Sequence, residues 1–439
     1  MNALFTALRN LPRRERLWLV YAVILAILLR LLFVLVLDPS PATGGGDIGF
    51  YLEMGPKLVR NISPPLPTAP VFLVYVGLVQ ALFNLDPTSL LLTIRVLNIA
   101  WHVLLIVAVF VLGKRYFNGS VAAVAALIIA VNPIFIIETG QAATESLFVG
   151  VLFCGLALYA VNQDRPTASS LIITGLLLGL ATLTRAVVLF FPLILIVPLI
   201  RLNGWRRGGR LALILVAAYA LTVSTWTVYN AVRWNRFMIG AEGAVGFAWM
   251  GVYGQQSPVQ ADQMAGTDAV LQGRDKEVRL QQIADTLFHS LPQYLSIRFT
   301  NLSEAYLQPH NTPYFPGDSL KQEVATWLST NRTMRGLVEI TQGNYFWQKL
   351  ALYILHFWAL ILGIVGLIRF RKQIWLLAPL YGYLLYTTAV HSVLLALPRY
   401  LFPVEPILVL FAGDTTLLLL NWCAKQIQSR RGVYEVRSA

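Results

Sequence analysis

Long apolar runs separated by short polar connectors dominate the chain. They fall at about 17–37, 90–112, 119–137, 144–161, 170–184, 186–200, 210–230, 348–368, 374–392 and 400–421. Several approach or exceed the roughly 20 residues that a helix needs to cross a bilayer. The pattern predicts an all-α polytopic membrane protein of about ten transmembrane helices, nine to eleven, forming one membrane-embedded domain over 1–439. Two long stretches lack such runs. The first, about 38–89, holds "GGGDIGFYLEMGPKLV" (44–59), a glycine-led amphipathic segment, and the proline run "ISPPLPTAP". The second, about 231–347, contains "DKEVRLQQIADTLFHSLPQYLSIRF", whose apolar residues recur at helical spacing and suit helices lying in the membrane interface.

Charge placement sets the orientation. The basic clusters "GKRYFNG", "NQDRPTASS", "RLNGWRRGGR", "RFRKQ" and the C-terminal tail all fall on the side of the N-terminus. By the positive-inside rule this side is cytoplasmic, and the two long stretches lie outside. Residues 68–84, "TAPVFLVYVGLVQALFN", are apolar enough to span, but a span there would invert every later loop. They are therefore expected to form a re-entrant or interfacial helix. The first run, Leu17 to Leu37, is too long for the apolar core of a signal peptide and reads as the first span.

Composition agrees. The 439 residues are 57% hydrophobic and only 13% charged, against about 25% charged in an ordinary soluble domain. A net charge of +13 would suit nucleic acid, yet its confinement to short loops assigns it to topology. Cys154 and Cys423 read as small buried hydrophobes, with no disulfide framework and no metal cluster. P-loop and HExxH patterns are absent from the chain. Any chemistry must be assembled from residues at the outer membrane face.

Four places carry candidate chemistry. Asp47 follows three glycines that permit a close backbone approach. It is either the N-cap of a short helix or a general base toward an acceptor hydroxyl or amine, with Tyr51 one turn away as a substrate contact and Glu53 on the solvated face. In "IIETGQAATESLF" (136–148), Glu138 and Glu145 flank a short outer turn. They either solvate that turn or line a site, and Thr144 is expected to cap the next helix. In "GLATLTRAVVLFFP" (179–192), Arg185 stands alone between apolar runs. It is a snorkelling anchor or a phosphate ligand. In "VHSVLLALPRYLFPVEPILVLFAG" (390–413), His391, Arg399 and Tyr400 fall in or beside an outer turn. Arg399 is an interfacial anchor or, with His391 and Arg185, part of an anion clamp. Arg30, inside the first span, either snorkels outward or faces the cavity, and Arg95 and His102 in the second span carry the same alternatives. Asn301 and Asn331 head glycosylation sequons. The shared edge favours a lipid-linked phosphate donor, with arginines neutralising leaving-group charge and a carboxylate activating the acceptor.

These pieces occur in an order that resembles the GT-C superfamily of integral membrane glycosyltransferases, in its protein O-mannosyltransferase and aminoarabinose transferase branch. The matching stretches are "RLLFVLVL", "GGGDIGFYLEMGPKLV", "PPLPTAPVFLVYVGLVQALF", "NPIFIIETGQAATESLFVG", "GLLLGLATLTRAVVLFFP" and "HSVLLALPRYLFPVEPILVLFAG". The resemblance implies that Asp47 is the catalytic aspartate of the first outer loop. It also implies two juxtamembrane helices at about 48–60 and 68–84, and Arg185, Arg399 and His391 near the phosphate of a polyprenyl-phosphate sugar. Transfer would occur outside the membrane, with both termini in the cytoplasm of a bacterial cell. Ile48 stands where the mannosyltransferases place Glu. No soluble MIR-type domain or C-terminal periplasmic domain is recognised, so a protein acceptor is not supported and the acceptor stays open to a glycan, a lipid or another molecule. Some relatives use a divalent cation; with no acidic pair near Asp47, a metal-independent reaction without cofactor is expected. The rival classes are a transporter or lipid flippase, and a catalytically inactive relative.

Overall fold

The computed structural model describes residues 8–39, 46–242, 244–253, 275–330 and 332–437, so Gly44, Gly45 and Asn331 lie outside the described residues. Among the described residues the regular structure is helical, without strands. The helices are α1 (Arg13–Leu32), α2 (Gly46–Val59), α3 (Val71–Phe83), α4 (Pro87–Tyr116), α5 (Gly119–Val131), α6 (Pro133–Thr139), α7 (Thr144–Asn162), α8 (Ala168–Thr184), α9 (Phe191–Ile194), α10 (Ile196–Asn203) and α11 (Trp205–Trp234). After these come α12 (Ala244–Tyr253), α13 (Asp275–His289), α14 (Leu291–Leu307), α15 (Leu320–Thr330), α16 (Met334–Thr341), α17 (Phe346–Phe370), α18 (Ala378–Val393), α19 (Pro398–Leu401) and α20 (Glu405–Arg437).

Seven helical stretches among the described residues are long and apolar enough to cross a membrane: Arg13–Leu37, Pro87–Tyr116, Thr144–Asn162, Ala186–Asn203, Trp205–Trp234, Phe346–Gln373 and Pro398–Gln428. An eighth is a bent pair, α5 with α6. Two further expected spans form the shorter helices α8 and α18. The fold is thus the all-α polytopic one that the apolar runs imply.

The expected span at 119–137 is broken. Asn132 accepts from the Ile134 amide at 3.0 Å and Pro133 opens a new helix, a strong restart signal, so α6 turns 54° away from α5. The break frees carbonyls at the end of α5. Arg30 of α1, fully buried, donates to Ala130 O at 2.9 Å and Ile129 O at 3.1 Å. Arg30 therefore neither snorkels nor lines the cavity; it completes the hydrogen bonding of a bent helix.

Residues 68–84 form α3, of 13 residues. At 1.5 Å per residue that is roughly 20 Å, short of a bilayer's roughly 30 Å. It packs on α2 through two glycines. A Cβ on Gly77 would sit 2.3 Å from Gly55 O, and one on Gly55 2.7 Å from Leu73 O. These backbones touch because neither position carries a side chain, and the contact fixes α2, and Asp47 with it, over the bundle. The two helices, Gly46–Val59 and Val71–Phe83, fall close to the expected 48–60 and 68–84.

Behind the site, α4 and α7 form the most buried part of the bundle. Arg95 of α4 donates to Gly140 O at 2.8 Å and to Asp38 Oδ2 at 2.8 Å. Asn98 donates to Gln141 O at 2.8 Å, and His102 Nε2 meets Ser146 Oγ at 3.1 Å. Arg95 and Asn98 bind the backbone of the turn between α6 and α7 and His102 meets a side chain in the first turn of α7, so together they hold the turn that Glu138 and Glu145 flank. Cys154 is partly buried, as expected, but Cys423 is exposed on α20, beyond the packed part of that helix.

Candidate active site

A cavity of about 1380 Å³ opens where α2, the α6–α7 turn, the α8–α9 connection, residues 308–314 and the turn before α19 converge. All seven candidate residues line it: Asp47, Tyr51, Glu138, Glu145, Arg185, His391 and Arg399. They come from segments up to 352 residues apart.

Asp47 lies in the first turn of α2, inside the helix and not at its cap. Its Oδ2 accepts from Arg399 Nη1 at 2.9 Å, with the side chains 59% and 42% exposed. Arg399 Nη2 donates to Tyr400 Oη at 3.0 Å. The Tyr400 ring is the hub of this wall. The Arg399 guanidinium lies 4.9 Å from its centroid and that of Arg185 lies 5.4 Å away, both within cation–π range. His391 stacks on the same ring, 5.4 Å away at 14°.

Arg185 caps the end of α8, and its Nη1 donates to Glu145 Oε1. This pair is buried, 14% and 9% exposed. Thr144 does not cap α7, whose N-cap is Ala143; its hydroxyl instead donates to Glu145 Oε2 at 3.1 Å. His391 Nδ1 is 2.9 Å from Leu395 O. A carbonyl accepts only, so the proton sits on Nδ1 and leaves Nε2 bare in the neutral ring. Both arginines thus already hold carboxylates, and His391 braces Tyr400. Burial, and then the Glu145 and Asp47 carboxylates, push the Tyr51 hydroxyl well above its ordinary value, so it enters as a neutral hydrogen-bonding group.

Glu138, 2% exposed, has a partner the sequence reading missed. His310 Nε2 lies 2.6 Å from its Oε2, and Asn311 Nδ2 donates to the same oxygen at 3.3 Å. Asn311 adopts left-handed backbone (φ 68°) and also donates to Ile134 O at 3.0 Å. The stretch "QPHNTP", a proline-bracketed histidine after an interfacial helix, was the available signal. Arg298 of α14 donates to Ser392 O at 3.2 Å and to Leu394 O, so the second long segment also braces the turn leading to Arg399.

Asp47 and Glu145 are held by arginines and Glu138 by His310. No group of three or more His, Cys, Asp or Glu among the described residues is placed to share an ion.

Residues 67–234 match the family model described as dolichyl-phosphate-mannose-protein mannosyltransferase. The matched part includes Glu138, Glu145 and Arg185 but neither Asp47 nor Arg399. No curated protein matches the chain. Among solved structures, the apo oligosaccharyltransferase of Archaeoglobus fulgidus aligns over 95% of this chain and 52% of its own, at 14% identity and TM-score 0.57. The same archaeon's AglB, in complex with an inhibitory peptide and a dolichol-phosphate, aligns over 96% and 52% at 14% identity and TM-score 0.57. ArnT from Cupriavidus metallidurans bound to undecaprenyl phosphate aligns over 91% and 77% at 16% identity, with TM-score 0.42. The chain spans about half the length of the archaeal structures. Its fold is similar to that of the archaeal oligosaccharyltransferase, and residues 67–234 match the dolichyl-phosphate-mannose-protein mannosyltransferase model.

Proposed function

We propose that the protein transfers a sugar from a polyprenyl-phosphate donor to a glycan or lipid acceptor at the extracytoplasmic face of the membrane, with both termini in the cytoplasm. The observation that carries the reading is the meeting of Asp47 with Arg399 at 2.9 Å in a cavity that also holds the Arg185–Glu145 pair. A carboxylate beside guanidinium groups at a membrane edge suits one reaction class well. Arginine stabilises phosphate charge, and the carboxylate takes a proton from the acceptor. The cavity, at about 1380 Å³, exceeds the roughly 300–1,000 Å³ of an ordinary small-molecule pocket, leaving room for donor headgroup and acceptor together. The archaeal neighbour of the same fold is bound to dolichol-phosphate, which adds support for a lipid phosphate here.

The step balances as one displacement. The acceptor oxygen attacks the anomeric carbon while Asp47 accepts the hydroxyl proton. The bond from the anomeric carbon to the phosphate oxygen breaks, and its electron pair leaves with polyprenyl phosphate. The Arg185 and Arg399 side offers the positive field for that leaving group. His310, oriented by Glu138, lines the part of the cavity left for sugar or acceptor hydroxyls.

The test supplies purified protein in detergent with a panel of radiolabelled polyprenyl-phosphate sugars and an envelope extract. Label should move to a product whose anomeric configuration is inverted relative to the donor. Retained configuration would contradict direct attack. No transfer from any donor, with substrate accumulation in sealed proteoliposomes, would move the protein to the transporter class.

A further inference from the structure

Among the described residues lining the cavity there are three carboxylates, Asp47, Glu138 and Glu145, and two guanidinium groups, Arg185 and Arg399. Each guanidinium already holds a carboxylate. An anion entering the cavity therefore meets no uncommitted arginine unless one pair opens. The two pairs differ in which can do so. Opening the buried Arg185–Glu145 pair strands charges with little access to water, a strongly unfavourable state. Opening Arg399–Asp47 exposes two groups that are 42% and 59% exposed already, and such pairs are weakly held. Arg399 is also prepared for another acceptor. Its plane is kept in place by the Tyr400 ring and hydroxyl.

We propose that Arg399 has two partners in turn. In the empty cavity it holds Asp47, and the lipid phosphate displaces Asp47 from it. While Oδ2 of Asp47 accepts from Arg399, the carboxylate is committed to the guanidinium and has only its remaining lone pairs for an acceptor hydroxyl. Donor binding is then what releases the base, and the donor binds before the acceptor. Arg185 stays on Glu145 throughout, bracing Tyr400. This inference rests on reading the cavity as the site of a polyprenyl-phosphate donor, and it assigns to Arg399 a coupling role that this reading does not itself require.

The test reads binding, not transfer, so it does not depend on Asp47 being the base. Polyprenyl phosphate without sugar is titrated into the purified full-length chain as wild type, Asp47→Asn, Arg399→Gln and the double variant. Asp47 competes with phosphate for Arg399, so Asp47→Asn should bind roughly two- to fivefold tighter, the range expected for an exposed ion pair. Arg399→Gln should bind at least about tenfold weaker. The double variant should match Arg399→Gln, because Asp47 then has nothing to compete for. If Arg399→Gln does not fold, Arg399→Lys replaces it, and the gain from Asp47→Asn should shrink in that background. Unchanged or weaker binding by folded Asp47→Asn overturns the proposal. So does an equal gain in the Arg399→Gln background, which would make Asp47 only a distant like charge. In both cases wild-type binding leaves the donor reading standing. No binding by wild type removes the donor reading, and the proposal with it.

Discussion

The two ends of the helix bundle use charge in opposite ways. At the end with the basic loops, ion pairs join neighbouring elements: Lys114 with Glu15, Arg115 with Asp164 at 2.7 Å, and Arg369 with Asp414. Arg201 lies over Trp375, 4.5 Å from its centroid. None of these residues lines the large cavity. At the other end the pairs face a void. Arg185–Glu145, Arg399–Asp47 and His310–Glu138 stand around one space. The first group joins helices to neighbouring helices and one loop near the surface, where an exposed pair contributes about 0–1 kcal/mol. The second holds charge where packing alone would favour apolar residues, and that cost points to a ligand.

The contrast sets the expected size of mutational effects. Glu145→Gln should be the most damaging. It leaves Arg185 buried without its carboxylate and should cost about 3 kcal/mol of stability together with nearly all transfer, seen as a lowered melting temperature beside a transfer assay. His310→Ala should leave the Glu138 carboxylate with only Asn311. A loss of about 1–3 kcal/mol and a roughly tenfold slower transfer are expected, read from the same two assays. Gly77→Ala forces α3 off α2, at about 1–3 kcal/mol for overpacking, and the resulting shift of Asp47 should slow transfer without altering any charged residue. Glu15→Gln, at the other end, should change stability by less than about 1 kcal/mol and leave transfer within twofold. Equal losses from Glu15→Gln and Glu145→Gln would erase the distinction between the two ends.

Much of this was legible in the sequence because it rests on continuous apolar length. Spans such as 90–112 and 210–230 reappear as α4 and α11 with longer ends, since helices project beyond the apolar slab. The α5–α6 break was hidden because Pro133 sits inside an apolar run and its cap, Asn132, resembles any polar interruption. Asp47, Glu145, Arg185 and Arg399 stood out because lone charges at a membrane edge are costly. Their pairing did not, because Asp47 and Arg399 meet only through tertiary structure. Arg30 and Arg95 were ambiguous for a related reason. A buried guanidinium can serve a ligand or broken-helix carbonyls, and only the bend at Asn132 decides for Arg30. His310 escaped notice because its stretch carries no apolar period and its partner lies on a distant helix.

The most direct measurement compares sugar transfer by wild type and Asp47→Asn, with melting temperature and polyprenyl-phosphate binding taken on the same preparations. The account predicts that Asp47→Asn melts like wild type, still binds the lipid phosphate, and transfers at least about 100-fold more slowly. Transfer within a few-fold of wild type by the folded, donor-binding variant would contradict it, and would leave Asp47 as a helix-end carboxylate that happens to meet Arg399.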